Sequence, residues 1–195
     1  MPEEICIRTR RLDLRPIHVE DFDGWAEFHA HAESMKYMGG QKSRSEAWRS
    51  FCTMAGAWSL YGVSMFSVLE RGTRNWIGRV GAWQPEGWPG PEVGWGILHR
   101  YQGQGLALEA AVASIDFVFD RLKWEHIIHT INPDNVASIR LAERLGSRFV
   151  GPTRLPEPLT QFQVDCYQQS RSQWSENRLR FMDLGALREH WESYY

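Results

Sequence analysis

Residues 92–107 read EVGWGILHRYQGQGLA. The first seven alternate, with Val93, Trp95 and Ile97 facing one way and Gly94 and Gly96 the other. That is the period of a strand, here Glu92–Leu98, and one of its faces is nearly bare, so a backbone or a ligand can come close. A turn and a glycine-rich loop follow. From Gly103 to Arg121 the pattern becomes helical and apolar on two sides, with Leu106, Ala110, Ala113 and Phe117 on one and Leu108, Val112, Ile115 and Phe119 on the other. A helix of that kind is sandwiched against a sheet. Its first turn offers unpaired N–H groups and the positive end of the helix dipole. Gly103 and Gly105 remove side chains that would hold a ligand away, and Arg100 can add charge. Such a corner suits an anion, above all a phosphate.

Three phosphate-binding readings compete for this segment. A P-loop needs Gly-Lys-Ser/Thr where Gly105, Leu106 and Ala107 stand. A dinucleotide fingerprint needs a small residue where Leu108 stands; Glu125 lies at about the right distance for a ribose-binding acid, but ahead of the next strand rather than at its end. The third reading depends on what surrounds the loop.

Outward from the loop, strands are expected at Ile5–Ile17, ended by Pro16, and at Val63–Leu69 and Trp76–Trp83, the last two joined as a hairpin through Arg71-Gly72-Thr73. Asp21–Ala32 has helical spacing, and Ser43 with Glu46 forms a capping box that starts a second helix towards Trp58. Gln84–Pro91 is a loop rich in proline and glycine. After the long helix come a short apolar strand, Ile127–Ile131, and a break at Asn132-Pro133-Asp134-Asn135 that supplies an N-cap. A helix at Val136–Leu145 ends on Gly146, followed by strands near Arg148–Gly151 and Gln163–Gln169. Gln173–Tyr195 is read as helical, with Trp174, Leu184, Leu187 and Trp191 as docking residues. The order implies an α+β (mixed α/β) fold of about seven strands with helices on both faces of the sheet. Residues 1–170 are expected to form one domain and 171–195 its C-terminal helical extension, serving as a packed arm, a lid or a dimer contact, so a homodimer stays open.

Composition narrows the function. The chain has 195 residues and a net charge of −2, so no basic field recruits nucleic acid or an acidic membrane surface. Residues 1–15 hold no apolar signal core, and no stretch approaches the ~20 apolar residues of a membrane helix, which favours the cytoplasm. Cys6, Cys52 and Cys166 are odd in number and widely spaced, against a disulfide framework or zinc knuckle; reduced, partly buried thiols are expected. His29 with His31 and His126 with His129 have no ligand-set spacing, so no metal is expected. Ten tryptophans favour aromatic core contacts or an apolar-walled groove, and Trp83 and Trp88 flank the loop into the Glu92 strand, where either could line an acceptor site.

Arg100-x-x-Gly103-x-Gly105-Leu106-Ala107 resembles the pyrophosphate loop of GNAT N-acetyltransferases. It follows a strand that begins Glu-Val-Gly-Trp and precedes Asn135-x-x-Ser138-Ile-x-Leu141-x-Glu-x-Leu-Gly146 at that family's spacing. The opening Thr9–Pro16 run, Thr-x-Arg-Leu-x-Leu-Arg-Pro, is similar too, and the whole looks most like the ribosomal-protein N-terminal acetyltransferase subfamily. The resemblance implies a mostly antiparallel sheet splayed between its fourth and fifth strands, with acetyl-CoA as cosubstrate. It implies that backbone groups of Ile97 and Leu98 hold the pantetheine arm and that Gln102, Gly103, Gln104, Gly105, Leu106 and Ala107 hold the pyrophosphate, with Arg100 adding charge. Asn135 would bind the arm from the opposite wall. Many relatives carry a tyrosine acid where this chain has Ala142. Here Ser138 is the candidate donor to the departing sulfur, and Glu92 the candidate base acting through water. The expected activity is acetyl transfer to a primary amine of a small molecule, peptide or protein N-terminus, by direct attack in a ternary complex. The alternative is a non-catalytic acyl-CoA-binding or sensing module, suggested by the missing tyrosine. Ser138 could instead back-bond to its own helix, and Glu92 could be a solvated strand end.

Overall fold

The computed structural model describes residues 5–184. One eight-stranded sheet carries the molecule, in the order β1-β2-β3-β4-β5-β6-β8-β7. Its strands are β1 (Ile7–Arg8), β2 (Leu12–Arg15), β3 (Met65–Glu70), β4 (Trp76–Trp83), β5 (Glu92–Ile97), β6 (His126–Ile131), β7 (Arg148–Thr153) and β8 (Val164–Ser170). Every neighbouring pair is antiparallel except β5 with β6. The helices are α1 (Phe22–Ala30), α2 (Ala32–Met35), α3 (Arg44–Tyr61), α4 (Leu106–Asp120), α5 (Val136–Leu145) and α6 (Arg171–Asn177).

Alternation along β3 shows how both faces are filled. Phe66 and Val68 enter a core with Ile115 and Phe119 of α4, whereas Met65 and Leu69 enter a core with Trp25, Phe28 and Phe51 of α1 and α3. The expected capping box holds α3: Ser43 N donates to Glu46 Oε2 at 2.8 Å and Glu46 N to Ser43 Oγ at 3.3 Å. Gly146 ends α5 in the left-handed conformation, φ +97°.

The eighth strand arises at the N-terminus. Ile5–Ile17 is not one strand but a hairpin, β1 and β2, turned at Thr9–Arg11. The cause lies on α4. Buried Glu109 accepts from Thr9 Oγ1 at 2.6 Å, Arg11 N at 2.7 Å and Arg11 Nε at 2.6 Å. The short helix α2 was also not expected; the His31 side chain caps it, accepting from Ser34 N at 3.2 Å.

The C-terminal reading is partly met. Helix α6 and a 3-10 stretch, Arg178–Leu184, pack on α4, and buried Trp174 donates Nε1–H to Asp116 Oδ1 at 2.9 Å. Leu187 and Trp191 lie outside the described residues, with the rest of 185–195. No helix among the described residues is long and apolar enough to cross a membrane. Cys6 and Cys52 are exposed rather than partly buried, and Cys166 is half-buried.

Candidate active site

The site forms where β5 and β6 part. Their ladder has one registered pair, Glu92 with Ile128. Past it, the backbone of β5 alternates between two edges. Leu98 N donates to Ile77 O at 2.9 Å, so that phase of the strand faces β4. Val93, Trp95 and Ile97 therefore turn their backbone groups towards the gap. Side chains close parts of that edge: His129 of β6 bonds Val93 O through Nδ1 at 2.6 Å, and Gln102 Nε2 donates to Ile97 O at 3.0 Å. Trp95 and the N–H of Ile97 share the edge but have no strand opposite them.

His129 acts as the wedge of the splay. It is buried, and its Nε2 meets Ser147 Oγ at 2.9 Å. Burial pulls its pKa down to about 4, so the ring is neutral at pH 7. A neutral ring that donates from Nδ1 to the Val93 carbonyl accepts at Nε2 from the serine hydroxyl.

On one side of the gap a groove of about 550 Å³ runs past Ile97, Gly103, Gly105, Leu106 and Ala107 to Asn135 and Ser138. Gly103 and Gly105 have φ +74° and +75°, a region L side chains avoid, and a Cβ on Gly103 would meet nothing within 4 Å. Gly105 gives the α4 start no side-chain cap, so the N–H groups of Leu106, Ala107 and Leu108 face the groove without a partner in their helix. This cradle fits a pyrophosphate.

Two expected binding residues are engaged elsewhere. Leu98 donates its N–H to Ile77, so that donor is not open, and its carbonyl already accepts from Tyr101 N at 2.9 Å. The Arg100 guanidinium pairs with Glu27, away from the loop. Arg11 stands at the loop instead. Held by Glu109, it donates from Nη1 to Gln104 O at 2.9 Å, and a Cβ on Gly105 would lie 3.6 Å from its Nη2. Arg140 and Arg144 of α5 also line the groove. Gln104 otherwise braces the loop, its Nε2 donating to Arg100 O at 3.0 Å.

On the other side lies a cavity of about 540 Å³ with Glu92, Arg79, Trp83, Trp88 and Thr130 in its wall. Trp95, Asn135 and Ser138 border both spaces. Glu92 is not a solvated strand end. It is buried, and it accepts from Trp88 Nε1 at 2.6 Å, Thr130 Oγ1 at 2.9 Å and Thr130 N at 3.2 Å. Burial raises its pKa, and those three donors oppose the rise. Ser138 accepts from Trp95 Nε1 at 3.2 Å, which leaves its own proton free to donate. Asn135 caps α5, its Oδ1 accepting from Ser138 N at 3.1 Å, so its amide N–H groups are the part left for a ligand. Protein side chains cover much of the bare glycine face. A Cβ on Gly96 would lie 2.8 Å from Phe28 Cζ, and one on Gly94 would lie 2.6 Å from Met65 Cε.

Sequence reasoning missed Arg11, Glu109, Arg79, Thr130 and the role of His129. One signal was legible: Glu109 is a lone acid in an otherwise apolar helical turn.

Known proteins share the sequence pattern and the fold. The family profile described as an acetyltransferase (GNAT) domain matches residues 11–148. The protein p20 of Bacillus licheniformis, named an uncharacterized N-acetyltransferase, is 30% identical over 163 residues, 82% of this chain and 91% of its own length. An acetyltransferase structure from Agrobacterium tumefaciens is 28% identical with a TM-score of 0.76, covering 86% of this chain and 95% of the other. A ribosomal-protein-S5-alanine acetyltransferase structure from Vibrio fischeri shares the fold at 17% identity and a TM-score of 0.69, covering 88% and 99%. With 138 of its residues, 11–148, under one family profile, the chain belongs to the GNAT acetyltransferase family.

Proposed function

We propose that the protein transfers the acetyl group of acetyl-CoA to a primary amine by direct attack in a ternary complex. The observation that carries this reading is the junction of two spaces at Trp95, Asn135 and Ser138, one shaped for a pyrophosphate-bearing cosubstrate and one holding a buried carboxylate. The cosubstrate supplies an acetyl group activated as a thioester. The amides at the start of α4 hold its pyrophosphate, with Arg11, Arg140 and Arg144 adding charge. The free N–H at the β5 edge, on Ile97, binds the pantetheine arm, and Asn135 holds it from α5.

Glu92 takes the proton of the acceptor ammonium through water, and burial makes it a stronger base than an exposed glutamate. The amine nitrogen bonds to the acetyl carbon and the carbon–sulfur bond breaks. Ser138 donates a hydrogen bond to the sulfur as negative charge gathers there. The net products are the N-acetylated amine, free CoA and one proton.

A non-catalytic acyl-CoA-binding module is the second reading. Ala142, where many relatives carry a tyrosine acid, is packed at 0% exposure beside Ile131 and Tyr167, and nothing at that position donates a proton. A turnover assay that detects the acetylated product separates the two. Product formed in proportion to CoA release supports the enzyme; saturable acetyl-CoA binding without product across an amine panel supports the module.

A further inference from the structure

We propose that the acetyl acceptor carries a carboxylate as well as its amine, and that Arg79 is the residue that binds that carboxylate. The proposal rests on the acetyl-transfer reading above and names the substrate class of the same site.

Arg79 lies on β4, paired with Gly96, on the sheet face that packs against α1 and α3. Its guanidinium stacks over the Trp25 ring at 5.1 Å and borders the cavity that holds Glu92. A guanidinium offers five N–H donors in a planar fork. Here the buried Nε has no hydrogen-bond partner. The two Nη groups meet sulfur, Met65 Sδ at 2.6 Å and Met38 Sδ at 3.8 Å. Sulfur is a weak acceptor and carries no charge to balance the cation.

Two other arginines, buried Arg15 and half-buried Arg178, find carboxylate partners instead. Arg15 forms a two-pronged pair with Asp21, at 2.7 and 2.8 Å. Arg178 reaches Asp116 at 2.7 Å. A buried charge without a partner is costly, and a protein keeps one where a ligand supplies the partner. Desolvation lowers the Arg79 pKa to about 10, which still leaves it protonated at neutral pH.

Glu92 supplies the second half of the argument. It acts on Arg79 through space, but its own hydrogen bonds go to Trp88 and Thr130. Glu92 pairs with Trp83, four residues along β4 from Arg79, so the two backbones are about 13 Å apart. The cavity thus holds a cation at one end and an anion at the other. An acceptor with its ammonium towards Glu92 and its carboxylate towards Arg79 answers both. A planar two-oxygen anion also matches the guanidinium fork. Met54, Trp83 and Trp88 in the same wall suit an apolar body between the two ends. The class is therefore an ω-amino acid, with its amine and carboxylate at opposite ends of an apolar chain, rather than an unsubstituted amine or a neutral peptide terminus.

The test uses product analogues, which bind without turning over. N-acetyl-4-aminobutanoate, N-acetyl-6-aminohexanoate and N-acetyl-8-aminooctanoate, each as carboxylate and as carboxamide, are titrated into protein saturated with CoA, following tryptophan fluorescence. Trp25 and Trp83 lie close enough to report. At least one carboxylate is expected to bind wild type about tenfold or more tightly than its amide, as a charged pair at a desolvated guanidinium should. Arg79→Gln is expected to abolish that preference and Arg79→Lys to keep part of it, both with CoA affinity within about twofold of wild type. The proposal is overturned if carboxylates and amides bind wild type equally, if the preference survives in Arg79→Gln, or if no carboxylate binds at about 10 mM. Failure of CoA itself to bind would overturn the acetyl-transfer reading, and this proposal with it. Failure of the carboxylates alone overturns only the proposal.

Discussion

Trp95 of β5 donates its indole N–H to the Ser138 hydroxyl of α5 at 3.2 Å, across the gap where the β5–β6 ladder ends. The bond orients the hydroxyl oxygen and leaves its proton pointing elsewhere. It also ties together the two elements that border both the groove and the cavity.

Removing either partner therefore tests the role of the hydroxyl. Ser138→Ala is expected to lower kcat about tenfold to a hundredfold, more than it changes KM for acetyl-CoA. Trp95→Phe keeps a ring against His129 but deletes the donor. Its effect should be smaller, about fivefold, the worth of one hydrogen bond. Unchanged kcat in Ser138→Ala would remove the hydroxyl from the chemistry.

As the proposed base, Glu92 is expected to set the acid limb of the pH profile. Its pKa is raised by burial, and a base works only when deprotonated. Activity should thus be lost, as pH falls, at a pH above the ordinary glutamate value of about 4.3. Glu92→Gln should lower kcat/KM about a hundredfold and erase that limb. A limb that persists in the variant would belong to another group.

His129 gives the opposite sign in stability. Its folded pKa, about 4, lies below the unfolded value of about 6.5. The stability it contributes is present above pH 6.5 and lost as pH falls towards 4, because the unfolded chain binds the proton first. Between those limits wild type should lose about 3 kcal/mol relative to His129→Gln, read from urea melts at several pH values. Parallel curves would mean that the ring is solvated rather than wedged.

Asp116 runs the other way again. Burial raises its folded pKa to about 6, above the unfolded value of about 3.9. Its contribution is complete below pH 3.9 and lost as pH rises through 6. Asp116→Asn, which keeps an acceptor for Trp174, should gain on wild type by about 2 kcal/mol between pH 4 and 7. A change in the reverse direction would show that the ion pair with Arg178 outweighs desolvation.

The strand–loop–helix of residues 92–121 was legible because its signals are local. Alternation marks β5, glycines mark the turn, and an apolar pattern on two sides marks α4. The Thr9–Arg11 turn was not: the apolar alternation changes phase there, from Ile5 and Ile7 to Leu12 and Leu14, but no glycine or proline marks the bend, and the residue that holds it, Glu109, is about 100 positions away. Arg100 illustrates a different limit. Its place in the motif is local, but the 3-10 turn at His99–Tyr101 carries its side chain to Glu27. Arg79 and His129 were illegible as site residues, since their meaning comes from neighbours on other strands: the thioethers of Met65 and Met38 for one, the Val93 carbonyl for the other.

The most direct test of the account is calorimetric titration with acetyl-CoA of wild type and of a Gly103→Glu/Gly105→Glu variant checked for fold by circular dichroism. Both glycines have positive φ at the uncapped start of α4, and two carboxylates there would crowd and repel a pyrophosphate. Saturable binding to wild type and none to the folded variant is expected. Absence of binding to wild type at millimolar acetyl-CoA, or equal binding by the variant, would contradict it.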